Sequence, residues 1–154
     1  MMLWHGESHS TISWSVKCLC FSSAAGRLVF EDFLRTEYSE ENILFWLACE
    51  DYRKTTSQTE VMTAAKRIYA EFVQVDAPRQ INIDCVTREE ISQNLTQPWP
   101  NCFDRAQRLI YGLMGNDCYP RFLKSEIYQA LLEQAEQLRK EREAKSSADA
   151  SPND

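Results

Sequence analysis

One segment constrains the fold of this chain more than any other: residues 39–54, in which an acidic polar turn leads directly into a helix with almost no polar face. Ser39 is placed to cap that helix with its hydroxyl, and Glu40 and Glu41 then lie in the first turn, where the positive end of the helix dipole favours them. Residues 43–49 are apolar on nearly every side. A helix of this kind is expected at the centre of a helical bundle.

Composition and charge set the class of protein. At 154 residues, 44% of them hydrophobic, the chain can build one domain with its own core. The low counts of glycine and proline, 4 and 5, argue against a fold of many short strands and turns. The net charge of −6 disfavours nucleic acid as a partner and suits a protein partner that presents Lys and Arg.

The cysteines and the apolar runs indicate a reduced, cytoplasmic protein. There are six cysteines, without the paired C-x-x-C spacing and nearby His of a zinc site, so we expect no metal and no disulfide framework. They are Cys18, Cys20, Cys49, Cys85, Cys102 and Cys118. Residues 43–49, the longest apolar run, are too short to span a bilayer, which needs about 20 residues. The N-terminus lacks a long apolar stretch, so we expect no secretory leader.

Helical periodicity recurs along the rest of the chain and predicts an all-α bundle of eight or nine short helices. The predicted helices cover residues 13–23 (closed by Gly26), 27–36, 39–54, 59–75, a segment after the capping box at Thr87, a segment beginning at residues 101–104, a short segment capped by Asp117 after a break at 115–116, and a last helix capped by Ser125. The domain organisation follows: 1–12 a flexible N-terminus, 13–138 the domain, 139–154 a helical end and a disordered C-terminal tail from residue 146.

The residues that catalysis requires are scarce. Both histidines, His5 and His9, precede the predicted domain, so its core has none for a Ser-His-Asp or Cys-His site. Phosphate-binding glycine motifs are missing as well, and the carboxylates near residues 40 and 50 read as helix caps and a solvated face. We therefore expect a binding protein and not an enzyme. Three polar clusters between helices are its candidate surfaces: residues 37–42; Asn82 with Asp84 and Arg88; and residues 117–121.

Several motifs resemble the regulator of G-protein signalling (RGS) domain, and the resemblance covers residues 14–132. The matching motifs are EYSEENILFW at 37–46, FEDFL at 30–34, INID at 81–84, CFDRAQ at 102–107 and LMGNDCYPRFLKS at 113–125. Residues 25–27, 34–37 and 120–122 look most like the subfamily named for Gαz.

The resemblance implies a function. Proteins similar to this one bind the switch regions of an activated Gα subunit and accelerate its GTP hydrolysis, which turns off receptor signalling. They need no cofactor, because Gα supplies its own arginine and a glutamine that orients the attacking water. We expect an inhibitory-class or z-class Gα as the partner and a monomeric accelerator. The alternative is an RGS-like helical scaffold that binds another protein without accelerating hydrolysis.

Gα-binding residues are transferred from the family position by position. They are Tyr38, Ser39, Glu41, Asn42, Asn82, Arg88, Leu113, Asp117, Cys118 and Arg121. By resemblance, Asn82 reaches the catalytic glutamine of Gα, Asp117 accepts a switch N–H, and Arg121 braces the loops by pairing with a carboxylate such as Asp117. Cys118 and Pro120 depart from the residues of many relatives and are expected to tune which Gα is preferred.

Lipidation is a further implication of the resemblance. Relatives carry palmitoylated cysteines, which makes Cys18, Cys20 and Cys49 candidates in this chain. Cys49 lies on the apolar helix, and free Cys is common in cores, so packing is the favoured interpretation there. Because the Gα partner is lipid-anchored, we expect peripheral recruitment to the inner face of the plasma membrane, with only reversible binding from a single weak anchor.

Overall fold

The computed structural model describes residues 24–150, and every regular element in that range is a helix. Seven α-helices follow in order: α1 Ala24–Thr36, α2 Glu41–Lys54, α3 Gln58–Ile68, α4 Cys85–Asn94, α5 Asp104–Leu113, α6 Tyr119–Leu123 and α7 Glu126–Asp149. Wide π-helical turns extend α3 through Tyr69–Val73 and α5 through Met114–Cys118. The all-α prediction is confirmed. The predicted helix at 13–23, the N-terminus at 1–12 and residues 151–154 lie outside the described residues.

Helix α2 lies at the centre of the bundle, as its apolar surface predicted. Ile43, Phe45 and Cys49 are buried, and the helix packs against both α3 and α5. The ring of Phe45 meets Phe103 edge to face at a centroid distance of 6.4 Å. The hydroxyl of Tyr52 donates a 2.6 Å hydrogen bond to the carbonyl oxygen of Trp99, which satisfies the polar end of a buried aromatic side chain.

A buried glutamine adds a polar connection between α2 and α5. The side-chain amide of Gln107 is 3% exposed, and its nitrogen donates to the carbonyl oxygen of Trp46 and to the carboxylate of Glu50 at 2.7 Å. Its oxygen accepts from the guanidinium of Arg53. Because each polar atom of this amide has a partner, its burial carries no penalty for an unsatisfied group.

An aromatic cluster joins the first and last helices. Phe30 and Phe33 of α1 contact Phe122 of α6 at centroid distances of 5.3 and 5.4 Å, and Phe122 meets Tyr128 of α7 at 5.2 Å. Such pairs stabilise by about 0.5–1.5 kcal/mol each beyond the area they bury. This cluster fixes α1, and therefore the loop that follows α1, against α6.

Two predicted helix caps are wrong. Glu40, and not Ser39, precedes the first residue of α2, and the Ser39 hydroxyl lies 3.5 Å from the carbonyl oxygen of Leu34 at the end of α1. At α4 the capping box at Thr87 does not form. The helix begins two residues earlier, and the carboxylate of Asp84 accepts from the Thr87 backbone N–H at 2.8 Å. In both cases the predicted capping side chain is engaged by a residue earlier in the chain: Ser39 by the Leu34 carbonyl and Thr87 by the Asp84 carboxylate.

The predicted break at residues 115–116 does not occur. Helix α5 passes through the wide turn Met114–Cys118 directly into α6, and Asp117 lies inside that turn and caps nothing. Gly26 likewise lies within α1 and does not close a preceding helix. The cap at Ser125 is confirmed, since its hydroxyl accepts from the Tyr128 N–H at 3.2 Å. Helix α7 continues to Asp149, so residues 146–149 are helical and not the irregular tail that was expected.

The described cysteines divide by exposure. Cys49, Cys102 and Cys118 are buried and Cys85 is exposed, all as free thiols. Cys18 and Cys20 lie outside the described residues. Among the seven described helices none combines the length and the apolarity needed to cross a membrane.

Candidate functional site

The first polar cluster predicted from the sequence, residues 37–42, contacts segments from two other parts of the chain. The α1–α2 loop, residues 37–40, lies in the middle. On one side it shares a groove with residues 78–80, so Tyr38 and Glu41 face Pro78 and Gln80. On the other side Glu37 is ion-paired with Arg121 of α6. Residues far apart in sequence therefore form a single continuous surface.

Tyr38 occupies a strained position at the tip of the central loop. Helix α1 ends in a Schellman motif, with the Ser39 N–H bound to the Leu34 carbonyl at 2.9 Å and the Tyr38 N–H bound to the Arg35 carbonyl at 3.2 Å. This motif places Tyr38 in the left-handed region, with φ 57°, where glycine is usual. The side chain is 94% exposed. Backbone strain combined with a fully exposed aromatic ring is typical of a recognition residue.

Arg35 holds the two ends of this loop together. Its guanidinium donates to Glu40 at 3.0 Å, across the loop, and to Asp32 and Glu31 on its own helix at 3.0 and 3.3 Å. The Glu40 carboxylate raises the pKa of Arg35. Exposed ion pairs add little to the free energy of unfolding, so we expect this cluster mainly to hold the loop in one conformation.

Glu41 and Asn42 differ in what they offer a partner. Glu41 is partly exposed and lines the groove beside Tyr38. Asn42 is only 4% exposed, and its side-chain oxygen is buried without a hydrogen-bond partner among the described residues. Because its side chain is buried, Asn42 offers a partner much less surface than Glu41 does.

Asn82 is held outward by the residues on either side of it. Ile81 and Ile83 are 0% and 8% exposed, and between them the extended chain turns Asn82 to solvent. The Ile81 N–H donates to the carbonyl oxygen of Phe72 at 2.9 Å, which fixes the strand-like segment on the wide turn after α3. In the part of the chain that the structure describes, no hydrogen bond engages the Asn82 side chain. The residue of this loop that caps the following helix is Asp84, whose carboxylate accepts from the Thr87 N–H.

Arg88 braces this loop from below. Its Nε donates to the Val73 carbonyl at 2.8 Å and its Nη2 to the Ile83 carbonyl at 3.3 Å. The half-buried guanidinium thus serves the two backbone segments that carry Asn82. Two of its donors therefore serve the domain itself, and the direct contact predicted for Arg88 stays a prediction for the remaining N–H groups.

Arg121 braces the opposite side, as predicted, but its main partner is one that the sequence did not indicate. It contacts Asp117, one helical turn away, and it also forms three hydrogen bonds to the Glu37 carboxylate, the shortest 2.6 Å. The Glu37 carboxylate strongly raises the pKa of Arg121. Glu37 lies 84 positions away in sequence, so local spacing gives no signal for the pair.

Leu113 and Cys118 complete the list of predicted contacts. Leu113 is partly exposed and lines a groove with Asp117. Cys118 is 2% exposed, and burial raises the pKa of its thiol. A contact between Cys118 and a partner stays a prediction, and in this structure the wide turn places the side chain in the core.

Comparison with known proteins identifies the family and the fold. Residues 15–131 match the family described as Regulator of G protein signaling domain. The chain belongs to this family. Human Regulator of G-protein signaling 21 is 50% identical over 123 residues, which is 79% of this chain and 81% of that protein. The predicted family is therefore confirmed for this RGS protein.

Other relatives are longer than this RGS chain. Regulator of G-protein signaling 8 of Danio rerio is 49% identical over 114 residues, 74% of this chain and 66% of its own length. Human Regulator of G-protein signaling 1 is 54% identical over 111 residues, 72% of this chain and 53% of its own length. The chain thus spans about half to two thirds of these two proteins.

A solved structure shares the RGS fold at low sequence identity. It is the PDZRhoGEF rgRGS domain in a complex with Galpha-13 bound to GTP-gamma-S, with a TM-score of 0.58 and 18% identity, covering 99% of this chain and 78% of that one. At this identity the likeness establishes the fold alone.

Proposed function

We propose that this RGS protein accelerates GTP hydrolysis by a heterotrimeric Gα subunit. The observation that carries the proposal is that one loop joins exposed polar residues of separate segments. Tyr38 and Glu41 line a groove with residues 78–80, which precede the exposed Asn82. Glu37 of the same loop is ion-paired with Arg121, which also contacts the exposed Asp117. The family to which the chain belongs is named for regulation of G-protein signalling. One solved protein with this fold is bound to a GTP-analogue form of a Gα.

The mechanism requires a fitted surface and no catalytic group on this chain. Gα contributes an arginine in cis and a glutamine that positions the attacking water. A partner raises the rate only if it binds the transition-state arrangement of the switches more tightly than the ground state. Asn82 is suited to hold the glutamine of Gα, because its short amide donates and accepts at once.

The remaining contacts hold the switch segments around that glutamine. Asp117 would accept a backbone N–H, Tyr38 and Leu113 supply apolar area, and Glu41 offers a carboxylate. Ser39 lies beside these contacts in the central loop, where its N–H binds the Leu34 carbonyl. Preorganisation is the physical advantage of this arrangement, since a loop already ordered loses less entropy on binding.

We further propose an inhibitory-class or z-class Gα as the partner. The motif similarity to the subfamily named for Gαz supports this choice, as does the acidic charge of the chain, −6 overall. The site of action would be the cytoplasmic side of the plasma membrane, where a lipid-anchored Gα resides. Cys18 and Cys20 are the candidates for a supporting lipid anchor on this chain.

Single-turnover hydrolysis tests the proposal. Purified inhibitory-class and z-class Gα are loaded with GTP and followed with and without the wild-type chain at catalytic amounts. Faster hydrolysis supports the accelerator, and the relative rates rank the partners. No acceleration combined with binding to Gα in its GDP–aluminium fluoride state indicates a non-accelerating scaffold. No binding at all would overturn the proposal.

A further inference from the structure

Helix α7 runs far beyond the bundle that anchors it. Its 24 residues span about 36 Å, at a rise of about 1.5 Å per residue. The contacts with the core come from its first turns, where Ile127 and Tyr128 pack against buried residues. Residues 132–149 are all exposed. Most of the helix therefore projects into solvent.

An apolar stripe begins at the edge of the bundle and continues onto the projecting part of α7. Leu131, Ala135 and Leu138 follow at spacings of four and three, which places them on one side of the helix. Leu132 lies at the edge of the same stripe. The side chains of Leu132 and Leu138 are 45% and 49% exposed. Spacings of four and three are those with which two helices pack along a common seam.

Charge is divided along the helix. Residues 126–138 carry three glutamates and no lysine or arginine, whereas residues 139–145 carry four cations and two glutamates. Arg139 is paired within the helix, with Glu136 at 2.7 Å and Glu143 at 2.8 Å. Such pairs support an exposed helix only slightly, and a projecting helix without a packed face is marginally stable in water. A second copy running in the opposite direction would set the acidic half of each helix against the basic half of the other.

We propose that residues 131–145 pair with the same segment of a second copy of this chain, in an antiparallel arrangement with two-fold symmetry. Because the arrangement is symmetric, the contact of Ala135 with Leu138 of the other copy occurs twice. The seam is short, so the dimer is weak and depends on concentration. This dimer departs from the monomer that the family resemblance implied. It is independent of the Gα proposal, because all the predicted Gα-binding residues precede α7.

Sedimentation of the full chain over a range of concentrations tests the dimer. The weight-average mass should rise from that of the monomer, 17.9 kDa, toward twice that value between about 1 μM and about 1 mM. The double variant Leu132→Gln with Leu138→Gln should raise the dissociation constant by more than about tenfold, because it removes apolar area from the seam. Leu109→Gln, which changes a 44% exposed leucine of α5, is the matched control and should dimerise like the wild type. A wild type that stays monomeric throughout would overturn the inference.

Charge exchange between two variants provides the second test. Glu133→Lys with Glu136→Lys makes both halves of the helix basic, and Arg139→Glu with Arg142→Glu makes both halves acidic. Each variant alone should dimerise about tenfold more weakly than the wild type at low salt, and the difference should shrink at high salt. An equal mixture of the two should recover dimers, which also shows that neither variant has lost its helix. A mixture that stays as monomeric as its components would contradict the pairing.

Hydrogen exchange distinguishes a second copy from other occupants of the stripe. Amides of residues 132–145 should become more protected as the wild-type concentration rises, and the Leu132→Gln, Leu138→Gln double variant should not show this change. Strong protection that is already present in the monomer and does not vary with concentration would mean that residues of the same chain cover the stripe. That result would overturn the inference and leave the Gα proposal untouched.

Discussion

Arg121 of α6 closes the central loop by binding the carboxylate of Glu37, with three nitrogen–oxygen distances of 3.1, 3.1 and 2.6 Å. The same guanidinium also contacts Asp117. One side chain therefore ties two of the three segments of the face together. Because the arginine side chain is 44% exposed, the value of this contact lies in geometry more than in stability.

A double-mutant cycle of Arg121→Ala and Glu37→Gln measures that geometry. We expect each single change to weaken binding to activated Gα by about tenfold, and the double variant to be hardly worse than either. The coupling in the free energy of unfolding should remain below about 1 kcal/mol, as for other exposed ion pairs. Additive losses in binding would mean that the two residues act separately.

Substitution of Asn82 addresses the step assigned to the Gα glutamine. Asn82→Ala should lower the maximal acceleration by at least about tenfold, equivalent to about 1.4 kcal/mol of transition-state stabilisation. The Tm should stay near that of the wild type, because the side chain is exposed and engages no described residue. Asn101→Ala, in another exposed loop, is the matched control. Normal acceleration by Asn82→Ala would refute the role of this amide.

Tyr38 should show opposite effects on stability and function. Tyr38→Gly removes a non-glycine residue from the left-handed region. The free energy of unfolding should therefore rise by about 1 kcal/mol, after the entropy cost of glycine is subtracted. Binding to Gα should fall because the exposed ring is lost. Asp76→Gly makes the same backbone change at φ 64° without removing an aromatic ring, so it should stabilise the fold in the same direction with a smaller loss of binding. Chemical denaturation and affinity measurements on both variants decide the matter.

The cap at Asp84 makes stability depend on pH. The Thr87 backbone N–H and hydroxyl, which both donate to the carboxylate, hold the pKa of Asp84 below its ordinary value. A lowered pKa in the folded state gives stability that is present above the unfolded pKa of about 3.9 and is lost as the pH falls through the folded value. Asp84→Ala should therefore be less stable than the wild type at neutral pH, and the difference should shrink below pH of about 4.

Ser125→Ala is the control for this pH dependence. Its cap is an uncharged hydroxyl, so its loss of about 1 kcal/mol should not vary with pH. Urea unfolding of both variants at neutral and acidic pH provides the measurement. A deficit for Asp84→Ala that stays constant down to pH of about 2 would contradict the lowered pKa.

Thiol labelling distinguishes the described cysteines. Burial raises the pKa of Cys49 strongly and that of Cys102 to about 11, so both thiols are neutral and shielded at physiological pH. Cys85 is exposed and should react with a maleimide before either of them. Peptide mapping after brief labelling, and parallel labelling with a palmitate analogue, measure this order. Acylation of Cys49 in the folded protein would contradict its core role.

The sequence was sufficient for the elements whose cause is local. The apolar surface of α2 predicted its central position, and Ser125 was correctly predicted to cap the last helix. Hydrophobic burial acts on each helix separately, so periodicity is enough. The family motifs also indicated Tyr38 and Asn82, both of which are exposed in the structure.

Only the tertiary structure decided which polar groups meet. Arg121 could pair with Asp117 by helical spacing, whereas its contact with Glu37 depends on α1 packing against α6 through Phe30 and Phe122. The wide turn Met114–Cys118 placed the Cys118 side chain in the core. Arg88 became a brace because the fold brings the carbonyl oxygen of Val73, 15 positions away, within reach of a guanidinium that also binds the nearby Ile83 carbonyl. Local spacing fixes which residues share a helix face, but the partner of a long polar side chain is chosen by the packing of the whole bundle.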